Sequence, residues 1–254
     1  MNTLAVVSMK GGVGKTTVSV NVAAILAARG RQPVAVIELD PQSGLAWHFN
    51  PNAAELDGIS HHALADGSLG QGWADPVSGV RLFAYGQATE PEREAFEALL
   101  AREPAWLGSR IARLRQQHPG LQVVIDTPPG HSVYLAQVLA CADQLVMVML
   151  PDMASLATVG EMESLLQPAL KQRPGMVNHY LVNQLEPGQP LALEVIRVMQ
   201  ERFGPRLLPV RIRRDESVAE ALALHQPVSR YDPKSLAGAD LQQLAGLLAE
   251  LAPA

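Results

Sequence analysis

"SMKGGVGKTT", residues 8–17, stands between a short apolar run and a long one, and its glycines decide how the chain folds. Gly11, Gly12 and Gly14 let the backbone around Val13 curl until successive N–H groups point inward. The helix that follows brings its positive end to the same place. A polyphosphate fits such a loop. Lys15 reaches the β- and γ-phosphate oxygens, Thr16 offers the first helical hydroxyl to a Mg²⁺ ion, and Thr17 adds a hydroxyl contact to the α-phosphate. The usual pattern G-x-x-x-x-G-K-[ST] asks for a glycine where this chain has Met9, and for one lysine where it has both Lys10 and Lys15. A run of glycines alone is only a tight turn; between a strand and a helix it is a phosphate loop. Lys10 is the surplus charge. Its plain reading is a solvent-facing loop lysine. However, phosphoryl transfer gains most from an extra cation on the transferring group, often delivered by another polypeptide. Lys10 is therefore a candidate to serve a neighbouring subunit.

Working outward, residues 3–7 read as a buried strand, and the run from Thr16 to about Arg29, closed by Gly30, reads as a helix. "PVAVIEL" (33–39) is a continuous, β-branched strand of the kind covered on both faces. Residues 51–79 are expected to be loop with one short helix at 59–65, and "VRLFAYG" (80–86) a third strand. Two helices broken near Pro104 fill 91–118, and the strand "LQVVIDTPPG" follows. Then helices at 132–141, 153–171 and 190–203 alternate with strands at 144–150, 179–185 and 206–210, before closing helices around 215–224 and 234–251. The alternation predicts an α/β fold, a mostly parallel twisted sheet with helices on both faces, joined by right-handed crossovers. No repeat or long linker divides it, so residues 1–254 are expected to form one domain.

Two aspartates complete the candidate site. Asp126 ends the apolar strand "VVID", where a carboxylate has little reason to stand unless it faces a cation; it is the Walker B position, touching Mg²⁺ through water. Asp40 follows a strand in "IELDPQ" and is placed to orient the attacking water, outside the metal's direct ligands. The plain alternative for either is an Asx turn at a strand end. Glu38 is either a further support to the metal or an exposed strand-end residue.

The bulk numbers agree with a compact enzyme. The 254 residues are 48% hydrophobic and 18% charged, with a formal charge of −5. That balance argues against intrinsic nucleic-acid binding, so direct DNA binding is not expected. Arg206, Arg211, Arg213 and Arg214 crowd one segment, read as a solvated strand-end turn. One cysteine, Cys141, excludes a disulfide framework or a Cys-rich metal site. No apolar run approaches the roughly 18 residues needed to cross a bilayer, and the first residues carry no signal-peptide pattern. A cytoplasmic protein is expected. Adjacent His61 and His62 in a polar stretch are given no role.

With "KGGVGKTT" (10–17), "DPQSG" (40–44) and "IDTPPG" (125–130) in order, the chain resembles the MinD/ParA-type ATPases, whose signature is the deviant Walker A loop with the extra lysine. The likeness covers nearly the whole chain. It implies ATP and Mg²⁺ as ligands, with slow, partner-regulated hydrolysis to ADP and phosphate. It also implies a homodimer sandwiching ATP, in which Lys10 crosses to the partner's phosphates. The catalytic set would be Lys10, Lys15 and Asp40. Asn183, in "LVNQ", would read the adenine edge together with the backbone after Pro209. The tail "RRDE…QPVSRY" looks most like the MinD-like ATPases encoded with bacterial cellulose synthase, the BcsQ (YhjQ) group. This implies a switch that places or assembles the cellulose-secretion complex, recruited to the inner membrane or pole by components or regulators of that complex. The C-terminus "LQQLAGLLAELAPA" lacks the basic amphipathic extension by which MinD binds membranes, so direct insertion is not expected. The competing readings are a ParA-type DNA or plasmid partitioning ATPase and a small-molecule ligase on the same fold. A nitrogenase-reductase type would need cysteines that this chain lacks.

Overall fold

The computed structural model describes residues 3–49 and 57–252. The first half of the chain carries β1 (Thr3–Val7), α1 (Lys15–Ala28), β2 (Val34–Glu38), α2 (Ile59–Ala65), β3 (Trp73–Ala74), β4 (Arg81–Phe83), α3 (Glu90–Arg102), α4 (Trp106–Gln117) and β5 (Gln122–Asp126). The second half carries α5 (Val133–Cys141), β6 (Gln144–Met149), α6 (Met153–Ala157), α7 (Val159–Gln172), β7 (Val177–Leu185), α8 (Pro190–Phe203), β8 (Leu207–Arg213), α9 (Ser217–Ala223), α10 (Val228–Tyr231) and α11 (Leu236–Glu250).

The strands form one sheet in the order β3-β4-β2-β5-β1-β6-β7-β8. All neighbours are parallel except β3, which runs antiparallel to β4 at the edge. β1 lies in the middle, with β5 on one side and β6 on the other, so the loop that leaves it opens at the centre of the sheet's C-terminal edge. Alternation along β1 sends Leu4 and Val6 into the core beneath α1 and α11, and Ala5 and Val7 into the core beneath α3, α4, α5 and α7. A strand buried on both faces is a near-continuous apolar run, and "TLAVV" and "VAVIE" accordingly show no polar alternation, each with a single polar residue at one end.

The fold departs from the sequence expectations in four places. β4 spans only three residues, and β3 pairs with it from a stretch read as loop, Gly72 and Gly79 turning the chain at φ +65° and +73°. The part of that loop reading that falls on 50–56 lies outside the described residues. The single helix expected at 153–171 is two, α6 and α7, because the Thr158 hydroxyl and amide both turn back to the Ser155 carbonyl. A short helix, α10, precedes α11 where none was expected. Finally, β8 runs three residues past the expected end at Val210, to Arg213, which moves the rim of the nucleotide-sized cavity described below.

Candidate active site

Gly12 and Gly14 hold the loop after β1 at φ +73° and +90°, in the left-handed region. The end of β7 clamps it from outside: Asn183 Nδ2 donates to the Val13 carbonyl at 2.7 Å, and Gln184 Nε2 donates to the Gly12 carbonyl at 3.0 Å. With the Gly12 and Val13 carbonyls taken by β7, the N–H groups of the loop are left for an anion. A Cβ on Gly14 would stand 2.3 Å from Asn183 Nδ2, so only glycine lets the clamp close. α1 then starts with no side-chain cap and no acidic residue in its first turn, leaving its first N–H groups for an anion.

Lys15 is buried at the start of α1 beside the charges of Asp126 and Asp40; burial pushes its ammonium below the ordinary lysine value, and the two carboxylates oppose this. Asp126 is fully buried, accepting from Thr16 Oγ1 at 2.7 Å through one oxygen and from Ser19 Oγ at 2.9 Å through the other. Burial pushes its carboxyl up to about 6, while the two hydroxyls and Lys15 pull the other way. Among the described residues no cluster of three His, Cys, Asp or Glu side chains is built to hold a metal on its own. Thr16 and Asp126 instead fit a hard cation completed by phosphate oxygens and water.

The β2–β5 pairing sets Glu38 beside Asp126, and Leu39 N donates to the Asp126 carbonyl at 2.9 Å. Asp40 is thereby delivered to the mouth of the loop. Its Oδ1 accepts from Gln42 N at 3.0 Å, so the Asx-turn reading holds as a description of the local backbone without removing the carboxylate from the site. The exposed reading of Glu38 is corrected: it has no accessible surface. Its oxygens accept from Leu45 N (2.6 Å), Ser43 Oγ (3.1 Å) and Tyr85 N (3.2 Å), which pins the segment 40–45 to the sheet. Burial pushes its carboxyl up to about 8.

Lys10 leans away from its own loop, its Nζ 3.3 Å from Asp152 Oδ2, and the pair is partly exposed. Beside Gly14 and Thr17 opens a cavity of about 320 Å³, walled by Val18, Asn183, Arg213, Asp215 and Leu222 among others. One expectation is corrected here. Pro209 is an exposed residue inside β8 and does not line the cavity, because the strand continues past it and presents Ile212 to Asp215 instead. Asn183 does line it, with one of its two amide N–H groups given to the phosphate loop and the other N–H and Oδ1 making no hydrogen bond among the described residues. Arg213 is locked in place by Asp240, with bonds of 2.8 and 2.7 Å. His48 closes another wall and is pushed down to about 4 by burial, which keeps it neutral.

Sequence reasoning missed Ser19, Gln184 and Asp152. Ser19 alone had a signal, as a hydroxyl within the buried apolar face of α1. Of the four crowded arginines, Arg206 pairs with Glu163, Arg213 with Asp240 and Arg214 with Glu186.

A central phosphate loop with two lysines, a buried Walker B aspartate and this strand order define the MinD/ParA-type P-loop ATPases. A family model described as "Cellulose biosynthesis protein BcsQ" matches residues 1–247, and the chain belongs to that family. It is 29% identical over 253 residues to the cellulose biosynthesis protein BcsQ of Salmonella typhi, covering 96% of this chain and 93% of that one. It is also 29% identical over 239 residues to the chromosome-partitioning ATPase Soj of Thermus thermophilus, covering 91% and 89%. The septum site-determining protein MinD of Pyrococcus horikoshii OT3, complexed with Mg-ADP, shares the fold with a TM-score of 0.77 at 20% identity, over 98% of this chain and 96% of that one.

Proposed function

We propose that this chain is an ATP-dependent dimerising switch, hydrolysing ATP to ADP and phosphate, that acts in the assembly or localisation of the bacterial cellulose synthase secretion complex. One observation carries the nucleotide chemistry: the Thr16–Asp126–Ser19 network, with Lys15, lies beneath a loop whose Gly12 and Val13 carbonyls are taken by β7. The membership of the BcsQ family supports the cellulose assignment.

In this reading Gly11 to Thr17 hold the phosphates of ATP and Lys15 neutralises the β- and γ-oxygens. Thr16 and, through water, Asp126 would hold the Mg²⁺, which would supply charge stabilisation at the phosphates. Asp40 orients the attacking water, whose oxygen bonds to the γ-phosphorus as the bond to the β–γ bridging oxygen breaks. Glu38 acts only through the backbone that carries Asp40, as a positioning residue. The cavity between Asn183 and Arg213 to Asp215 takes the base. Lys10 leaves Asp152 and meets the partner subunit's phosphates, so nucleotide binding and dimerisation become one event. Among the described residues no helix is long and apolar enough to cross a membrane. Recruitment to the inner membrane or pole then falls to protein partners.

The test is capture of the Asp40→Ala protein from its native cells with Mg-ATP, with Lys15→Ala as the blank. Cellulose-synthase components retained only by the ATP-competent form support the proposal. Light scattering of Lys10→Ala completes it: this variant should bind nucleotide as a monomer and fail to dimerise. A Mg-ATP dimer that persists removes the cross-subunit lysine. The second reading, a partitioning ATPase, is favoured by the similarity to Soj. The pairing of Arg206, Arg213 and Arg214 with carboxylates counts against a DNA-binding stripe there. Recovery of chromosomal DNA with a centromere-binding protein would replace the first reading with the second.

A further inference from the structure

A cavity of about 450 Å³ lies under the outer edge of the sheet, where Arg81, Arg110 and Arg113 converge with Leu69 and Leu114. Arg81 is the first residue of β4, and Arg110 and Arg113 stand on α4, whose chain leads into the start of β5. The cavity therefore opens at the N-terminal ends of the parallel strands, whereas the phosphate loop opens at their C-terminal ends. It is a separate site.

Two of the three arginines are held in place. Arg110 lies across the Trp106 ring at 5.7 Å, and a Cβ on Gly67 would approach its guanidinium to 3.2 Å, so the side chain is fixed between ring and loop. Its Nε is buried and has no hydrogen-bond partner. Arg81 is aimed by one bond, Nη1 to the Gln71 carbonyl at 2.9 Å. Among the described residues none of the three forms an ion pair, unlike Arg93, Arg173, Arg202, Arg206 and Arg213. Asp66, the one carboxylate in the wall, is fully exposed, and its Oδ1 accepts from Ser68 N at 2.9 Å. Three guanidinium groups against one carboxylate make a local excess of positive charge in a chain of net charge −5.

We infer that this cavity binds a small organic phosphate, with the guanidinium groups on the phosphate oxygens and Leu69 and Leu114 against the organic part. Guanidinium forks match phosphate oxygens, and the volume lies within the range of small-molecule sites, about 300 to 1,000 Å³. The site does not depend on the proposed function of the phosphate loop.

The test is calorimetric titration of inorganic pyrophosphate into the full chain with the phosphate loop already filled by Mg-ADP. Wild-type protein should show saturable binding of one equivalent, weakened at least about tenfold in Arg110→Ala/Arg113→Ala and about threefold in Arg113→Gln. Arg113 is exposed, so the single variant keeps its fold, and unchanged ADP affinity reports the fold of both. No saturable binding, or equal affinity in the variants, overturns the site. Guanosine monophosphate and glucose 1-phosphate, titrated in the same way, separate a nucleotide from a sugar phosphate: tighter binding of either than of pyrophosphate supports the site and assigns the organic part.

Discussion

Replacing Glu38 by glutamine tests how the 40–45 segment is held. The carboxylate accepts from Leu45 N, Ser43 Oγ and Tyr85 N within a site that has no solvent access. Glutamine keeps the volume but turns one oxygen into an N–H₂ group facing a donor. One buried donor then loses its acceptor, a loss of about 1–3 kcal/mol in stability. This deficit depends on pH with a definite sign. Burial raises the Glu38 carboxyl from 4.5 to about 8, so between those values the folded chain holds a proton that the unfolded chain has released. The stability this group contributes is whole below about 4.5 and is lost as pH rises through about 8. The slope is about 1 kcal/mol per pH unit, and the glutamine variant lacks it. Urea unfolding of both proteins, without nucleotide or Mg²⁺, at about pH 6, 7 and 8 should show the deficit of Glu38→Gln shrinking by about that amount per unit. The raised Asp126 is common to both proteins and cancels. A deficit of constant size would refute a protonated, buried Glu38.

Gly14→Ala should lower stability by about 2–3 kcal/mol in urea unfolding, the left-handed backbone adding to the lost bond between Asn183 and Val13. It should also abolish ADP binding by calorimetry. Asp40→Ala should bind ATP and dimerise while phosphate release falls on the order of 10²-fold; wild-type turnover would remove Asp40 from the chemistry. Ser19→Ala takes a donor from Asp126, whose carboxyl then rises above about 6. The Mg²⁺ concentration for half-maximal nucleotide binding should increase about three- to tenfold at neutral pH, and an unchanged midpoint would limit Ser19 to packing. Asp152→Asn keeps the acceptor for Ser155 N but frees Lys10, and should lower the ATP concentration needed for dimerisation by up to about fivefold in light scattering.

The phosphate loop, the Walker B strand and the parallel order of the sheet were legible because each is written in contiguous residues. A doubly covered strand is a short apolar run, and a phosphate loop is a glycine pattern between two such runs. What was not legible is set by partners distant in sequence. β3 is two residues long and exists only through its pairing with β4. The cavity rim passes from Pro209 to Arg213 and Asp215 because Asp240, on α11, receives both the backbone and the side chain of Arg213 and carries β8 onward. Asn183 reads from the sequence only as a base reader; the 2.7 Å bond across 170 residues that also makes it a clamp on the loop has no local signal. For Glu38 the sequence left open a support to the metal or an exposed strand end, since charged residues are usually exposed; three donors from two segments keep it inside.

The two lysines differ in what surrounds them, and that difference bears on why one loop carries both. Lys15 is buried at the start of α1, within reach of the charges of Asp126 and Asp40, and is held by the loop that carries it. Lys10 rests on Asp152 at 3.3 Å with about a third of its side chain exposed. A partly exposed pair of this kind is worth about 0–1 kcal/mol. A phosphate contact shut away from water is worth more, since the same charges act at lower dielectric. Exchange of Asp152 for a phosphate is therefore favourable only where a second surface excludes solvent. In the proposed dimer that surface is the other subunit, and a lysine poised at low cost in the monomer makes closure depend on the γ-phosphate being present.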